Sequence, residues 1–119
     1  MAMSRQTKDA SVVVTNPTHF AVALMYRQGM VAPRVVAKGQ NNMAQRILAV
    51  TRKHGIPEVR NVSVARALYK ATSVGDYVPI ALYQAVAEIL AFVRRQAVQR
   101  RQRQLELARR TQAAGQGPT

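Results

Sequence analysis

Residues 11–26, SVVVTNPTHFAVALMY, constrain the fold more than any other stretch, because two apolar runs of strand character meet there at an Asn-Pro-Thr-His corner. Val12, Val13 and Val14 are β-branched and residues 20–26 are apolar almost throughout, which favours extended, buried backbone on both flanks. Pro17 removes a ladder donor and pushes Asn16 out of the right-handed helical region. A straight central strand through this point is disfavoured, and a sharp corner between two strands is predicted.

Beyond the corner, Phe20, Val22 and Leu24 fall on one face of the second strand and Ala21, Ala23 and Met25 on the other. Apolar residues on both faces predict a central strand covered by helices on each side. Pro33 introduces a third strand over residues 34–38 with Gly39 as its stop, and residues 41–53 read as an amphipathic helix capped by Asn41 or Asn42. His54 at the end of that helix, followed by Gly55 and Pro57, gives a stop signal and a capping role for the imidazole.

A fourth strand is expected at residues 58–62, then a short helix at 64–70 capped by Ser63, a loop at 72–76, and a long final helix with Pro79 in its first turn. Leu82, Val86, Ile89, Leu90, Val93 and Ala97 give that helix a docking stripe. Residues 99–112 have too little apolar surface to pack and are expected to project or fray, and residues 113–119 to be disordered. The fold class is α/β: a single small domain with a central sheet of about four strands flanked by helices and a long basic C-terminal helix. Residues 1–10 read as a linker, 11–97 as the folded unit and 98–119 as a basic helical extension and tail.

The corner also carries chemistry. The side-chain amide of an Asn can attack its own backbone carbonyl, closing a succinimide ring and expelling the residue that follows. Before Pro the bond broken is a tertiary amide, which twists more readily than an ordinary peptide. A free amide is a poor nucleophile, so the reaction needs a fold that holds nitrogen and carbonyl in line. Thr18 and His19 stand close enough to hydrogen-bond the turn, and a neutral imidazole can relay a proton. His19 is read as shaping the turn and tuning cleavage, not as an essential base.

The stretch TNPTHFAVAL, followed in order by APRVVAKG at 32–39, HGIPEV at 54–59, ARALY at 65–69 and YQAVAEILAFV at 83–93, resembles the cytoplasmic domain of the FlhB/YscU family of type III secretion proteins. The resemblance implies an export-gate and substrate-specificity-switch role in a flagellar or injectisome apparatus. It also implies self-cleavage between Asn16 and Pro17, with Thr18 and His19 completing the motif. Ser63 departs from the family pattern, which has Pro there. The resemblance further implies an upstream transmembrane region, so that residues 1–10 are the end of its linker (whether all ten are native is left open), and a location at the cytoplasmic face of the bacterial inner membrane. Implied partners are other export-apparatus components, a length-control protein and export cargo. The only substrate implied is the chain itself, once, so a turnover enzyme is not expected.

Composition narrows the remaining classes. The 119 residues suffice for one modest core. With no cysteine, two histidines and five acidic residues, neither a disulfide nor a metal centre is expected, and no cofactor motif is present. The net charge of +13 suggests anionic partners, and seven of the eighteen basic residues are arginines between positions 94 and 110. Solvated helical charge, contact with anionic lipid or an acidic partner, and phosphate binding all fit these arginines. A small basic nucleic-acid-binding α/β module is thus the rival reading, weakened by the lack of an aromatic stacking motif.

Overall fold

A computed structural model describes residues 7–115. Four strands form one mixed sheet: β1 (Val12–Asn16), β2 (Phe20–Met25), β3 (Arg34–Gln40) and β4 (Glu58–Arg60), in the spatial order β3-β2-β1-β4. β1 and β2 are antiparallel with Asn16 opposite Phe20, β2 and β3 are antiparallel, and β4 lies parallel to β1. Helix α1 (Asn42–Lys53) carries the chain from β3 at one edge to β4 at the other. Helix α2 (Val62–Ala71), a single 3₁₀ turn (Ile80–Leu82) and helix α3 (Tyr83–Gly115) follow.

Both faces of the sheet are covered, as the pattern of β2 requires. On one face Val13, Ala21, Ala23 and Ala37 pack against Ala44, Ile47 and Leu48 of α1. On the other, Val12, Val14, Val22, Leu24 and Val35 meet Val64, Ala65 and Leu68 of α2 and Val86 and Ile89 of α3. The α1 face is built largely from alanine, so the helix lies close to the sheet. Gly39 shows how close: a Cβ there would stand 2.6 Å from Met43 Cγ and 3.0 Å from the Met43 carbonyl carbon. Gly39 is therefore a buried position within β3 and not the stop that the sequence suggests, and β3 runs on to Gln40.

Other local expectations change in the same way. The cap of α2 is Asn61, whose Oδ1 accepts the Val64 N–H at 3.1 Å, while Ser63 sits exposed in the first turn. Because Asn61 opens the helix, α2 starts at Val62 and β4 ends at Arg60. Neither Asn41 nor Asn42 caps α1 through its side chain; Asn41 precedes the helix with φ 53° and no side-chain cap bond. Pro79 is extended and precedes the 3₁₀ turn, outside α3 itself. Gly55, in contrast, ends α1 with φ 65°, where glycine meets no steric penalty.

Docking of α3 stops earlier than its stripe predicts. Val86 and Ile89 are buried and Val93 is partly buried, but Ala97 is exposed. From residue 94 the helix continues into solvent as regular α-helix, through Ala113 and Ala114 to Gly115, where disorder was expected. At the other end Thr7 is fully buried and Ala10 packs beside the α1 face, so this end of the linker joins the core. The expectations for residues 1–6 and 116–119 lie outside the described residues. No helix of the described residues is long and apolar enough to cross a membrane.

Candidate functional site

The Asn-Pro-Thr-His corner is a three-residue connection between paired strands. Asn16 closes β1, Phe20 opens β2, and residues 17–19 turn between them. The flanks hold this register because Val12, Val13 and Val14 on one strand and Ala21 to Leu24 on the other are completely buried. A slip of one residue would turn Val22 and Leu24 onto the close-packed α1 face that Ala21 and Ala23 fill. β1 is also held from its other side, where the Asn61 N–H donates to the Thr15 carbonyl at 3.0 Å.

Within the turn the His19 N–H donates to the Asn16 carbonyl at 2.9 Å. That carbonyl carbon is the atom an attacking side-chain amide would reach, and its oxygen already faces a backbone donor. The Asn16 side chain is half-buried and has no hydrogen-bond partner among the described residues, so its amide nitrogen is uncommitted. Thr18 and His19 are exposed, and their side chains share a hydrogen bond between Thr18 Oγ1 and His19 Nδ1 at 2.8 Å. All four motif residues are thus brought together, with the imidazole directed to the Thr18 hydroxyl.

Two contacts from the start of α1 complete the site. The Asn41 N–H donates to the His19 carbonyl at 2.9 Å, and Gln45 Nε2 donates to the Pro17 carbonyl at 2.8 Å. The close packing of Gly39 under Met43 places this end of α1 beside the turn. Sequence reasoning missed both residues. Asn41 offered a signal in a Gly-Gln-Asn-Asn run that favours unusual backbone, but Gln45 had none, since its partner lies 28 residues away.

The exit of the turn is fixed by a chain of rings and charge. Phe20 stacks on Tyr69 with ring centroids 4.9 Å apart. Lys38 Nζ stands 4.5 Å from the centre of the Tyr69 ring and donates to the carbonyls of Tyr69 at 2.9 Å and Thr72 at 2.6 Å, closing the end of α2. Tyr69 is consequently a packing residue, and Tyr77 is covered by the Arg34 guanidinium at 5.3 Å. His54 follows α1 with its N–H bonded to the Val50 carbonyl at 3.0 Å, a helix-end position. Among the described residues no group of His, Cys, Asp or Glu is arranged to hold a metal ion.

Residues 1–93 match the model of the FlhB HrpN YscU SpaS family. The flagellar biosynthetic protein FlhB of Yersinia enterocolitica is 47% identical over 97 residues, covering 78% of this chain and 25% of the relative. FlhB of Aquifex aeolicus is 47% identical over 92 residues, covering 76% of this chain and 26% of the relative. The chain therefore spans about a quarter of the length of these curated relatives. Among solved structures, the cytoplasmic domain of FlhB from Shewanella putrefaciens superposes with a TM-score of 0.77 at 37% identity, covering 83% of this chain and 78% of that one. A mutated EscU C-terminal domain gives 0.75 at 28% identity, covering 77% and 93%. The chain belongs to the FlhB HrpN YscU SpaS family and has the fold of its cytoplasmic C-terminal domains.

Proposed function

We propose that this chain is the cytoplasmic switch portion of a type III export-apparatus protein and that it cuts itself once, between Asn16 and Pro17. The observation that carries the reading is the turn itself: an uncommitted Asn16 amide beside a carbonyl that already accepts the His19 N–H at 2.9 Å, between flanks locked in register. EscU domains have been solved with an asparagine replaced by alanine or aspartate, or with the next residue, a proline, replaced by alanine. Asn16-Pro17 is the same residue pair.

The reaction follows from these groups. Asn16 Nδ2 attacks the Asn16 carbonyl carbon and loses a proton to water. The oxygen of the tetrahedral intermediate gains negative charge and is stabilised by the His19 N–H, a fixed donor that needs no reorganisation. The bond to Pro17 breaks, and the proline nitrogen leaves with a proton as a secondary amine. Water then opens the succinimide. His19 contributes its backbone donor directly, and its ring, bonded to Thr18, orders the turn.

After cleavage the flanking strands stay paired, while the corner relaxes and residues 17–20 shift locally. Residues 12–16 remain paired with β2 and β4, and the bonds from Gln45 and Asn41 to the Pro17 and His19 carbonyls keep that shift small. The two fragments remain associated, and the change is confined to the turn. That local change, seen by a length-control protein, export cargo or other export components, is the switch. Intact mass of the denatured protein, with sequencing of any new amino terminus, tests the reaction. Residues 1–16 and 17–119 are expected as separate species, and Asn16→Ala, which removes the nucleophile, should remain whole. Cleavage persisting in Asn16→Ala would refute the mechanism.

A further inference from the structure

The part of α3 beyond residue 93 lies outside the family match and outside the core. It carries seven arginines and one glutamate, and among the described residues Glu106 pairs with Arg110 at 3.0 Å. Arg100 and Arg103 are neighbours three residues apart, and seven arginines against one glutamate leave the exposed helix with a strong excess of like charge. Most helical stability in proteins comes from packing of an amphipathic face, and among the described residues this exposed stretch has nothing to pack on. Something that supplies carboxylates would stabilise it.

The spacing says what kind of surface is offered. Ala91, Arg94, Val98, Arg101, Leu105 and Ala108 recur at alternating intervals of three and four, the period of a coiled-coil seam. Val98 is 50% exposed and Leu105 52%, both large apolar side chains left in water. A second copy of this chain is a poor fit in either orientation, because each copy brings seven arginines and one glutamate to the pair. A flat bilayer reaches only one side of a helix whose arginines point all round, and nucleic-acid phosphates offer nothing to Val98 and Leu105. We infer that this seam docks an acidic amphipathic helix of another protein, with apolar residues against Val98 and Leu105 and glutamates against Arg94 and Arg101.

The test uses the full chain and four labelled probes in fluorescence anisotropy: an acidic heptad peptide with leucines and glutamates at those positions, polyglutamate of equal charge, a DNA duplex, and vesicles containing anionic lipid. The peptide is expected to bind at least about tenfold more tightly than polyglutamate, a step of the size one buried Leu supplies. Leu105→Asn should remove that advantage and leave polyglutamate binding unchanged, with the unfolding transition unaltered. Arg101→Glu should weaken the peptide and recover it when the facing glutamate is changed to lysine. Equal or tighter binding of polyglutamate, duplex or vesicles, or indifference to Leu105→Asn, would overturn the inference.

Discussion

The Asn-Pro-Thr-His turn and the arginine arm of α3 are both exposed, yet they are held in opposite ways. The turn is three residues long and is tied at every side: to Asn16 and Phe20 through the sheet, to α1 through Asn41 and Gln45, and to α2 through Phe20 and Tyr69. The arm is about twenty residues long; only its first turns, through Arg94, Gln96, Ala97 and Arg100, border clefts against the core, and the residues beyond are exposed. Exposure alone does not distinguish a site of chemistry from a docking arm. What distinguishes them is how many fixed neighbours determine the geometry. A single-turnover reaction of a poor nucleophile needs the first kind of surface, and recognition of a charged partner is served by the second.

The contrast can be broken by mutation. Leu24→Ala, in the strand that leaves the turn, should cost about 2–5 kcal/mol in urea unfolding; a cost near zero would mean that the flanks do not hold the turn. Asn41→Gly should change stability less and with the opposite sign. Asn41 holds φ 53° and ψ −119°, a conformation that favours glycine, so relief of strain should add about 1 kcal/mol. Gln45→Ala removes one hydrogen bond to the Pro17 carbonyl and should slow cleavage several-fold, the effect of about 1 kcal/mol, read by mass in a time course. Leu105→Ala in the arm should shift the unfolding midpoint by less than about 0.5 kcal/mol equivalent. A large loss there would show that the arm packs on the core.

Much of this was legible in the chain. The β-branched run before Asn16 and the two-faced apolar pattern after His19 identified the central strands and the corner, because period and burial there agree. Local rules misplaced the cap of α2: Ser63 and Asn61 are both capping residues, and the choice depends on where β4 releases the chain. They misread Gly39 because a glycine in a strand can mark either a stop or a close approach, and Met43 decides for the second. The end of docking on α3 was placed at Ala97, since an alanine fits a helical stripe whether or not anything lies opposite it. Gln45 was invisible, because its role comes from a contact between distant segments that no local pattern encodes.

The most direct test of the account is whether folding switches the reaction on. The chain is collected unfolded in denaturant, then divided, one half kept in denaturant and the other diluted into native buffer, and both are followed by intact mass. The refolded half should yield fragments 1–16 and 17–119, with the second beginning at Pro17, while the denatured half stays whole. Equal cleavage in both halves, or a folded chain that remains uncut through prolonged incubation, would contradict the claim that the anchored turn makes Asn16 reactive.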